Sequence, residues 1–220
     1  MDKNKGAELF RKLIARQLAC PSGLIGRWVT AGWLDRVNAG MNQLTLEQLS
    51  LETEDSVIEI GFGGGGLLEQ IVLTGKYQYV AGIDRSVDMV RQVDRRLNRM
   101  PGSKVDLRQG EIEKIPFGVD SFTKLCSVNT LYFWEHPEVA MAECQRVLRP
   151  GGRMTLCFNS KQNLIDWPVH RHGFKLYEIE EVEDLFSSAG FEALEVASDE
   201  ADGRVQYYCV SGIATGGGTG

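Results

Sequence analysis

The sequence predicts an α/β fold, a three-layer sandwich in which helices cover both faces of a mostly parallel seven-stranded sheet. From about residue 55, short strand-like runs alternate with segments whose apolar residues recur at helical spacing, and this alternation is typical of parallel sheets. The last two strand-like runs instead meet at Asp202-Gly203, a dipeptide that favours an antiparallel hairpin. We therefore expect a C-terminal hairpin that closes one edge of the sheet.

Each predicted strand is a short run rich in apolar and β-branched residues. The seven runs are Val57–Ile60, Tyr79–Ile83, Lys104–Arg108, Phe122–Val128, Arg153–Phe158, Phe191–Ala197 and Val205–Ile213. The helices predicted between them are Leu67–Leu73, Ser86–Asn98, Pro137–Leu148 and Ile179–Ala189. Gly190 follows the last helix, and glycine commonly ends helices. These elements place the core domain at residues 51–213.

The first 50 residues have a different, helical pattern. Apolar residues form one stripe from about Ala7 to Leu18, and a second helical stretch runs from Leu24 to about Ala39. A short third piece covers Thr45–Leu49. We expect residues 1–50 to form a helical N-terminal cap, and the glycine-rich tail at 214–220 to be disordered.

Composition limits the partners of this chain. The net charge of −6 disfavours a nucleic-acid partner, because such proteins normally present a basic face. Five cysteines without a C-x-x-C pair indicate reduced core thiols of a cytoplasmic protein and predict no metal site.

The start lacks the apolar stretch of a signal peptide, and no window approaches the roughly 18 apolar residues of a membrane span. We expect no stable membrane insertion. The oligomeric state is not determined, and a monomer and a homodimer are both compatible with the sequence.

The segment after the first strand is the richest in glycine. It reads Glu59-Ile60-Gly61-Phe62-Gly63-Gly64-Gly65-Gly66 and satisfies both G-x-G-x-x-G and E-x-G-x-G-x-G. Glycines let the chain turn sharply and let a ligand approach the backbone, beside the unpaired N–H groups of the next helix. A carboxylate at Glu59 would repel a pyrophosphate, whereas it suits a ligand with a cationic amino group. A glycine turn without a ligand is the alternative.

An acidic residue ends the second strand as well. Asp84 closes the run VAGID, and an acidic side chain there can accept hydrogen bonds from both ribose hydroxyls of a nucleoside. Asp84 therefore supports an adenosine-type ligand without choosing between a dinucleotide and a phosphate-free one. Nothing in the sequence matches the phosphate loop G-x-x-x-x-G-K-[ST], which argues against a nucleotide triphosphatase.

With the segments that follow, these residues resemble the class I S-adenosylmethionine-dependent methyltransferases, in a small-molecule, type 11-like branch. The resemblance covers residues 50–213: the E-x-G-x-G-x-G loop, Asp84 with DRSVDM, Gly110–Phe117 in place of G-D-A-x-x-L-P-F, Asn129-Thr130 after the fourth strand, and LRPGGRMTL. It implies a Rossmann-like core, S-adenosyl-L-methionine as cofactor, and enzymatic methyl transfer.

The resemblance also implies cofactor roles for individual residues. Met89 would lie against the adenine, and Glu111 replaces the aspartate that binds the adenine amino group. The loop departs from the family at Phe62 and Gly64, and the second change predicts a more flexible loop. The implied cofactor-binding residues are Glu59, Gly61, Phe62, Gly63, Gly65, Asp84, Arg85, Met89, Gly110, Glu111, Ile112, Asn129 and Thr130.

Methyl transfer by in-line displacement mainly needs positioning, and a general base helps only when the acceptor must lose a proton. The catalytic candidates are His136 and Tyr132, and the alternative for His136 is a capping role before Pro137. Aromatic residues near the predicted mouth could hold a planar acceptor or, by cation–π attraction, an amine. The substrate-binding candidates are Trp33, Tyr132, Trp134, His172 and Tyr177.

Three functions follow from these patterns. The first is transfer of a methyl group from S-adenosyl-L-methionine to O, N, S or C of a small molecule. The second is methylation of a membrane-lipid headgroup, for which the basic amphipathic stretch Leu9–Leu18 is the support. The third is an NAD(P)-dependent oxidoreductase, which G-x-G-x-x-G permits and Glu59 disfavours.

Overall fold

The structure, a computed structural model, describes residues 38–167 and 174–216. Seven strands form one sheet. They are β1 Ser56–Ile60, β2 Tyr79–Asp84, β3 Val105–Gln109, β4 Phe122–Val128, β5 Leu148–Asn159, β6 Phe191–Ala201 and β7 Arg204–Ala214. Their order is β3-β2-β1-β4-β5-β7-β6. The first five strands are parallel, whereas β7 runs antiparallel to both β5 and β6. The predicted fold class and the terminal hairpin are confirmed.

Helices cover both faces of this sheet and give three layers. They are α1 Ala39–Leu49, α2 Gly66–Thr74, α3 Val87–Leu97, α4 Pro137–Val147, α5 Lys161–Ile165 and α6 Ile179–Ser188, with a 3₁₀ turn at Leu131–Phe133. One buried apolar cluster contains residues of α4 and α6, and the other contains residues of α1, α2 and α3. Because strand side chains alternate between faces, Val57 of β1 joins the second cluster while Ile58 and Ile60 join the first.

The helix α1 corrects the prediction for its region. The sequence suggested a helix ending near Ala39 and a separate short piece at Thr45–Leu49, whereas one helix spans Ala39–Leu49. Gly40 looks like a helix stop, but its role is packing: a Cβ at Gly40 would lie 2.6 Å from the hydroxyl oxygen of Tyr207 on β7. The glycine lets α1 lie close to the sheet.

Some predictions fall outside the described residues. They include the two helical stretches before residue 38, the substrate candidates Trp33 and His172, and the end of the tail from residue 217. The extent of the cap, 1–50, stays a prediction. Within residues 38–167 and 174–216, no helix combines the length and apolar character that crossing a bilayer requires.

The sheet order creates the setting for a site. From β1 the chain passes to β2 on one side, whereas the strand on the other side is β4. In such sheets, ligands bind in the crevice outside the carboxyl ends of the strands, where the order reverses. The glycine loop after β1, Asp84 at the end of β2 and Asn129 after β4 all meet at this edge.

Candidate functional site

A cavity of about 360 Å³ opens at the carboxyl ends of the five parallel strands β1 to β5. Twelve of the predicted site residues line it: Glu59, Gly61, Phe62, Gly63, Asp84, Arg85, Gly110, Ile112, Asn129, Thr130, Tyr132 and Trp134. These residues come from four strand ends and the connections after them. The fold therefore brings most of the predicted set together in one cavity.

The glycine loop owes its shape to positive φ angles and close contacts. Gly61 has φ of +71° and Gly63 has φ of +49°, a region that residues with side chains rarely adopt. A Cβ at Gly61 would lie 2.5 Å from the methyl carbon of Thr130, whereas a Cβ at Gly63 would meet no heavy atom within 4 Å. Gly61 is thus required by packing as well as by its backbone, while Gly63 leaves open space beside the cavity.

The remaining loop residues have other contacts. Phe62 is buried, and a Cβ at Gly82 of β2 would lie 2.8 Å from its ring, so the phenyl group packs on the sheet. Gly65 does not line the cavity. It precedes α2 with φ of +75°, and a Cβ there would lie 2.5 Å from Val93 of α3. Gly65 therefore has a packing role between the loop and α3, and its role toward a ligand stays a prediction.

Asp84 holds the loop and the start of α3 at the same time. One carboxylate oxygen accepts the N–H of Gly63 at 2.8 Å, and the other accepts the N–H of Ser86 at 2.8 Å. Only 7% of Asp84 is exposed. Burial raises the pKa of this carboxyl group, and the two backbone hydrogen bonds oppose the rise. Each oxygen keeps a second lone pair for a ligand donor.

Glu59 supplies a second buried carboxylate to the same cavity. It lies on β1, is 3% exposed and lines the cavity. A carboxylate in such surroundings favours a positively charged or hydrogen-donating ligand group over an anionic one. Two acids beside a glycine-rich loop fit a ligand that carries hydroxyl groups and an ammonium group.

Two residues of the predicted cofactor set face elsewhere. Met89 is fully buried in the apolar cluster beneath α3. It lies one turn after Ser86, and the hydroxyl oxygen of Ser86 accepts the backbone N–H of Met89. Glu111 points to solvent and lies 3.5 Å from Arg85. Neither side chain lines the cavity, whereas Ile112 and Glu113 do. Their roles toward a nucleobase stay predictions, and Ile112 is the better placed residue.

Side-chain amides line another part of the cavity. Asn129, directly after β4, has φ of +58°. Its Nδ2 donates to Oδ1 of Asn38 at 2.7 Å, and its Oδ1 accepts Nδ2 of Asn159 at 2.7 Å. Asn159 ends β5, and its Oδ1 accepts Nδ2 of Asn163 at 2.8 Å. The amides form a continuous row of neutral donors and acceptors. Sequence reasoning missed Asn38, Asn159 and Asn163 because all three are distant in the chain from Asn129.

Tyr132 anchors this row. Its hydroxyl donates to Oδ1 of Asn129 at 3.0 Å and accepts the backbone N–H of Asn159. Burial raises the pKa of Tyr132, so the phenol stays protonated at neutral pH. Nearby, Nε1 of Trp134 donates to Oγ1 of Thr130 at 3.1 Å. Tyr132 is therefore placed to position its neighbours, and its oxygen is already engaged.

The other candidates lie away from the cavity wall. His136 is exposed, precedes α4 and uses its backbone carbonyl to accept the N–H of Ala140 at 3.0 Å. His136 thus occupies the N-cap position of α4, although its side chain makes no capping hydrogen bond, and its catalytic role stays a prediction. Tyr177 is buried but does not line the cavity. Phe133, Trp167 and Phe174 line it instead, and no periodic pattern in the sequence marked Phe133 or Phe174.

Comparison with known proteins identifies the class to which this site belongs. The model of the methyltransferase domain family matches residues 58–156. The uncharacterized methyltransferase YdaC of Bacillus subtilis is 30% identical over 159 residues, which cover 72% of this chain and 83% of that protein. The chain belongs to this methyltransferase family.

Solved structures show the same fold. A chain of the complex between the Haloferax volcanii Trm112 methyltransferase activator and a methyltransferase matches with a TM-score of 0.71 at 20% identity, covering 84% of this chain and 96% of that one. Phosphoethanolamine N-methyltransferase 2 of Haemonchus contortus, in complex with S-adenosyl-L-methionine, gives 0.68 at 16% identity, with coverages of 79% and 52%. The family match, and not the likeness of fold, makes the protein an S-adenosylmethionine-dependent methyltransferase and argues against the NAD(P)-dependent alternative.

Proposed function

We propose that this enzyme binds S-adenosyl-L-methionine between the glycine loop and Asp84, and transfers its methyl group to a small molecule held against the amide row, in the cytoplasm. One observation carries the proposal: the buried carboxylates and the amide row line the same cavity. A methyl donor bound beside the carboxylates and an acceptor bound beside the amide row would therefore share one cavity, with no part of the protein between them.

The residues around the two carboxylates fit this cofactor by their chemistry. Asp84 has lone pairs for two ribose hydroxyls, and Glu59 supplies negative charge for an ammonium group. The left-handed glycines keep side chains away, so a ligand can approach the backbone. When bound, the cofactor supplies an electrophilic methyl group on a sulfonium.

The residues around the amide row support catalysis by positioning. Oriented amides and aromatic faces fix a planar acceptor, and holding two reactants in line contributes on the order of 7–11 kcal/mol to lowering a barrier. Tyr132 stays protonated and hydrogen-bonded, which favours an acceptor that attacks without first losing a proton to the enzyme.

Methyl-labelled cofactor, added with the purified enzyme to an extract of its source cells, tests this proposal. We expect the label in a low-molecular-weight, water-soluble product, and a much weaker signal with the Asp84→Asn variant. Label in the lipid fraction would favour the headgroup alternative, whose support at Leu9–Leu18 lies outside the described residues. Label only in protein or nucleic acid would contradict a small-molecule acceptor.

Replacing Tyr132 by phenylalanine should lower stability without disturbing the cofactor site. The variant removes the hydroxyl that pairs with the N–H of Asn159, and a buried donor left unpaired costs about 1–3 kcal/mol. Urea unfolding should show this loss, while calorimetric titration should give an affinity for S-adenosylhomocysteine within about twofold of wild type, since 0.4 kcal/mol is a small effect on this scale. A much larger loss of affinity would place the hydroxyl in the cofactor site.

Cofactor affinity should fall on acidification at a higher pH than an ordinary aspartate would cause. Burial raises the pKa of Asp84, and the ionised form offers the ribose hydroxyls more acceptor sites than the protonated form. Binding is therefore strongest above the pKa of Asp84 and weakens as the pH falls through it. Titrations with S-adenosylhomocysteine over this range should show the fall in wild type. The Asp84→Asn variant should lose that component, and an identical pH profile in both proteins would exclude Asp84 as its source.

A further inference from the structure

An arginine of α3, which does not line the cavity, forms a hydrogen bond with the glycine loop. Nη2 of Arg96 donates to the carbonyl oxygen of Gly64 at 2.7 Å, and the same nitrogen lies 3.3 Å from a carboxylate oxygen of Glu69 on α2. The same guanidinium nitrogen would lie 3.1 Å from a Cβ at Gly65. Arg96 thus lies directly over the loop, and Glu69 helps to orient it.

This contact fixes one peptide unit at both ends. The carbonyl oxygen of Gly64 accepts from Arg96, while the N–H of Gly65, in the same peptide unit, donates to the carbonyl oxygen of Phe62 at 2.7 Å. The carbonyl and N–H of a trans peptide point in opposite directions. The two bonds therefore define the orientation of this peptide plane.

Because the loop has four consecutive glycines, a hydrogen bond from another element should restrict its conformation. Each glycine has more backbone freedom to lose than any other residue, so a loop of Gly63-Gly64-Gly65-Gly66 would otherwise sample many conformations. The positions of Gly61 and Gly63 are already fixed by hydrogen bonds of their N–H groups to Ile83 and Asp84. Arg96 supplies the matching constraint for the second half of the loop.

We propose that Arg96 is a positioning residue that preorganises the glycine loop for the cofactor. This inference rests on the cofactor site proposed above. When only a fraction of the protein has the binding conformation, the apparent dissociation constant equals the intrinsic constant divided by that fraction, and is therefore higher. Arg96 acts on the free enzyme, whereas a bound cofactor orders the loop itself.

The test compares Arg96→Met with Arg95→Met, an exposed neighbour on the same helix that gives the same charge change. We expect the dissociation constant for S-adenosylhomocysteine to rise about tenfold in Arg96→Met, since one charge-assisted hydrogen bond is lost. Arg95→Met should stay close to wild type, and Arg96→Lys should recover part of the affinity. Turnover at saturating cofactor should be unchanged, so that the effect appears in the KM for the cofactor.

Two further readouts separate preorganisation from a general loss of stability. Hydrogen exchange of the peptide covering residues 59–68 should be faster in Arg96→Met than in wild type without ligand, and equal in both with S-adenosylhomocysteine bound. Gly64 lies outside the left-handed region, so Gly64→Ala stiffens the loop, and Arg96→Met should cost less affinity in that background.

The outcomes distinguish this inference from the cofactor assignment. An unchanged dissociation constant in Arg96→Met, or equal exchange without ligand, would overturn the role of Arg96 alone. An equal loss of affinity with and without Gly64→Ala would also overturn it. A wild-type protein that binds no S-adenosylhomocysteine would instead overturn the proposed cofactor site.

Discussion

Replacing Asp84 by asparagine should weaken the binding of S-adenosylhomocysteine about 100-fold. Two hydrogen bonds from ribose hydroxyls to a charged acceptor together contribute about 3 kcal/mol, which corresponds to this factor. The asparagine keeps the shape of the side chain, but its one oxygen can accept only one of the N–H groups of Gly63 and Ser86, and its NH2 group faces the other. Titration calorimetry measures the change directly.

The control is Asp94→Asn, which makes the same charge change on α3 at a residue that does not line the cavity. It should leave affinity unchanged. Asp84→Ala should lose at least as much affinity as Asp84→Asn and also some stability, because it leaves two backbone N–H groups without their acceptor. Affinity in Asp84→Asn equal to wild type would remove Asp84 from the cofactor site.

Replacing Gly61 by alanine should damage both the stability of the protein and its affinity for the cofactor. Its φ of +71° already disfavours a side chain, and the new Cβ would lie 2.5 Å from the Thr130 methyl carbon. Backbone strain of about 1–2 kcal/mol and overpacking of about 1–3 kcal/mol add in the same direction. Urea unfolding should show the loss of stability, and calorimetry should show at least a tenfold loss of affinity for S-adenosylhomocysteine, equivalent to about 1.4 kcal/mol.

Gly63→Ala is the matched comparison for stability, because Gly63 is also left-handed but a Cβ there meets nothing within 4 Å. Gly63→Ala should therefore lower the stability only by the backbone strain. Combining Gly61→Ala with Thr130→Ser removes the methyl group that causes the overlap, so part of the stability should return. Equal costs at Gly61 and Gly63, or no recovery with Thr130→Ser, would show that the contact with Thr130 does not decide the effect.

Much of the fold could be predicted from the sequence because local patterns determine it. The predicted bounds of β4, Phe122–Val128, agree with the structure residue by residue. The glycine loop and Asp84 were predictable for a related reason. Both follow a strand directly, and the carboxyl ends of parallel strands share one edge.

The parts that could not be predicted depend on contacts between distant residues. The local sequence does not show why a glycine lies at position 40, because the reason is its contact with Tyr207 on β7. The amide row joins Asn129 to Asn159, which lie 30 positions apart, and nothing in either local sequence indicates the other. The contact of Arg96 with Gly64 spans 32 positions. The sequence also does not show in which direction a side chain points. It could therefore not be predicted that Glu111 points to solvent.

A crystal structure of the protein with S-adenosylhomocysteine tests the central claim most directly. We predict that the ribose hydroxyls lie within hydrogen-bonding distance of Asp84, that the amino group lies near Glu59, and that the sulfur faces the amide row beside Asn129. Electron density for the ligand anywhere other than between the loop Gly61–Gly65 and Asp84 would contradict this account.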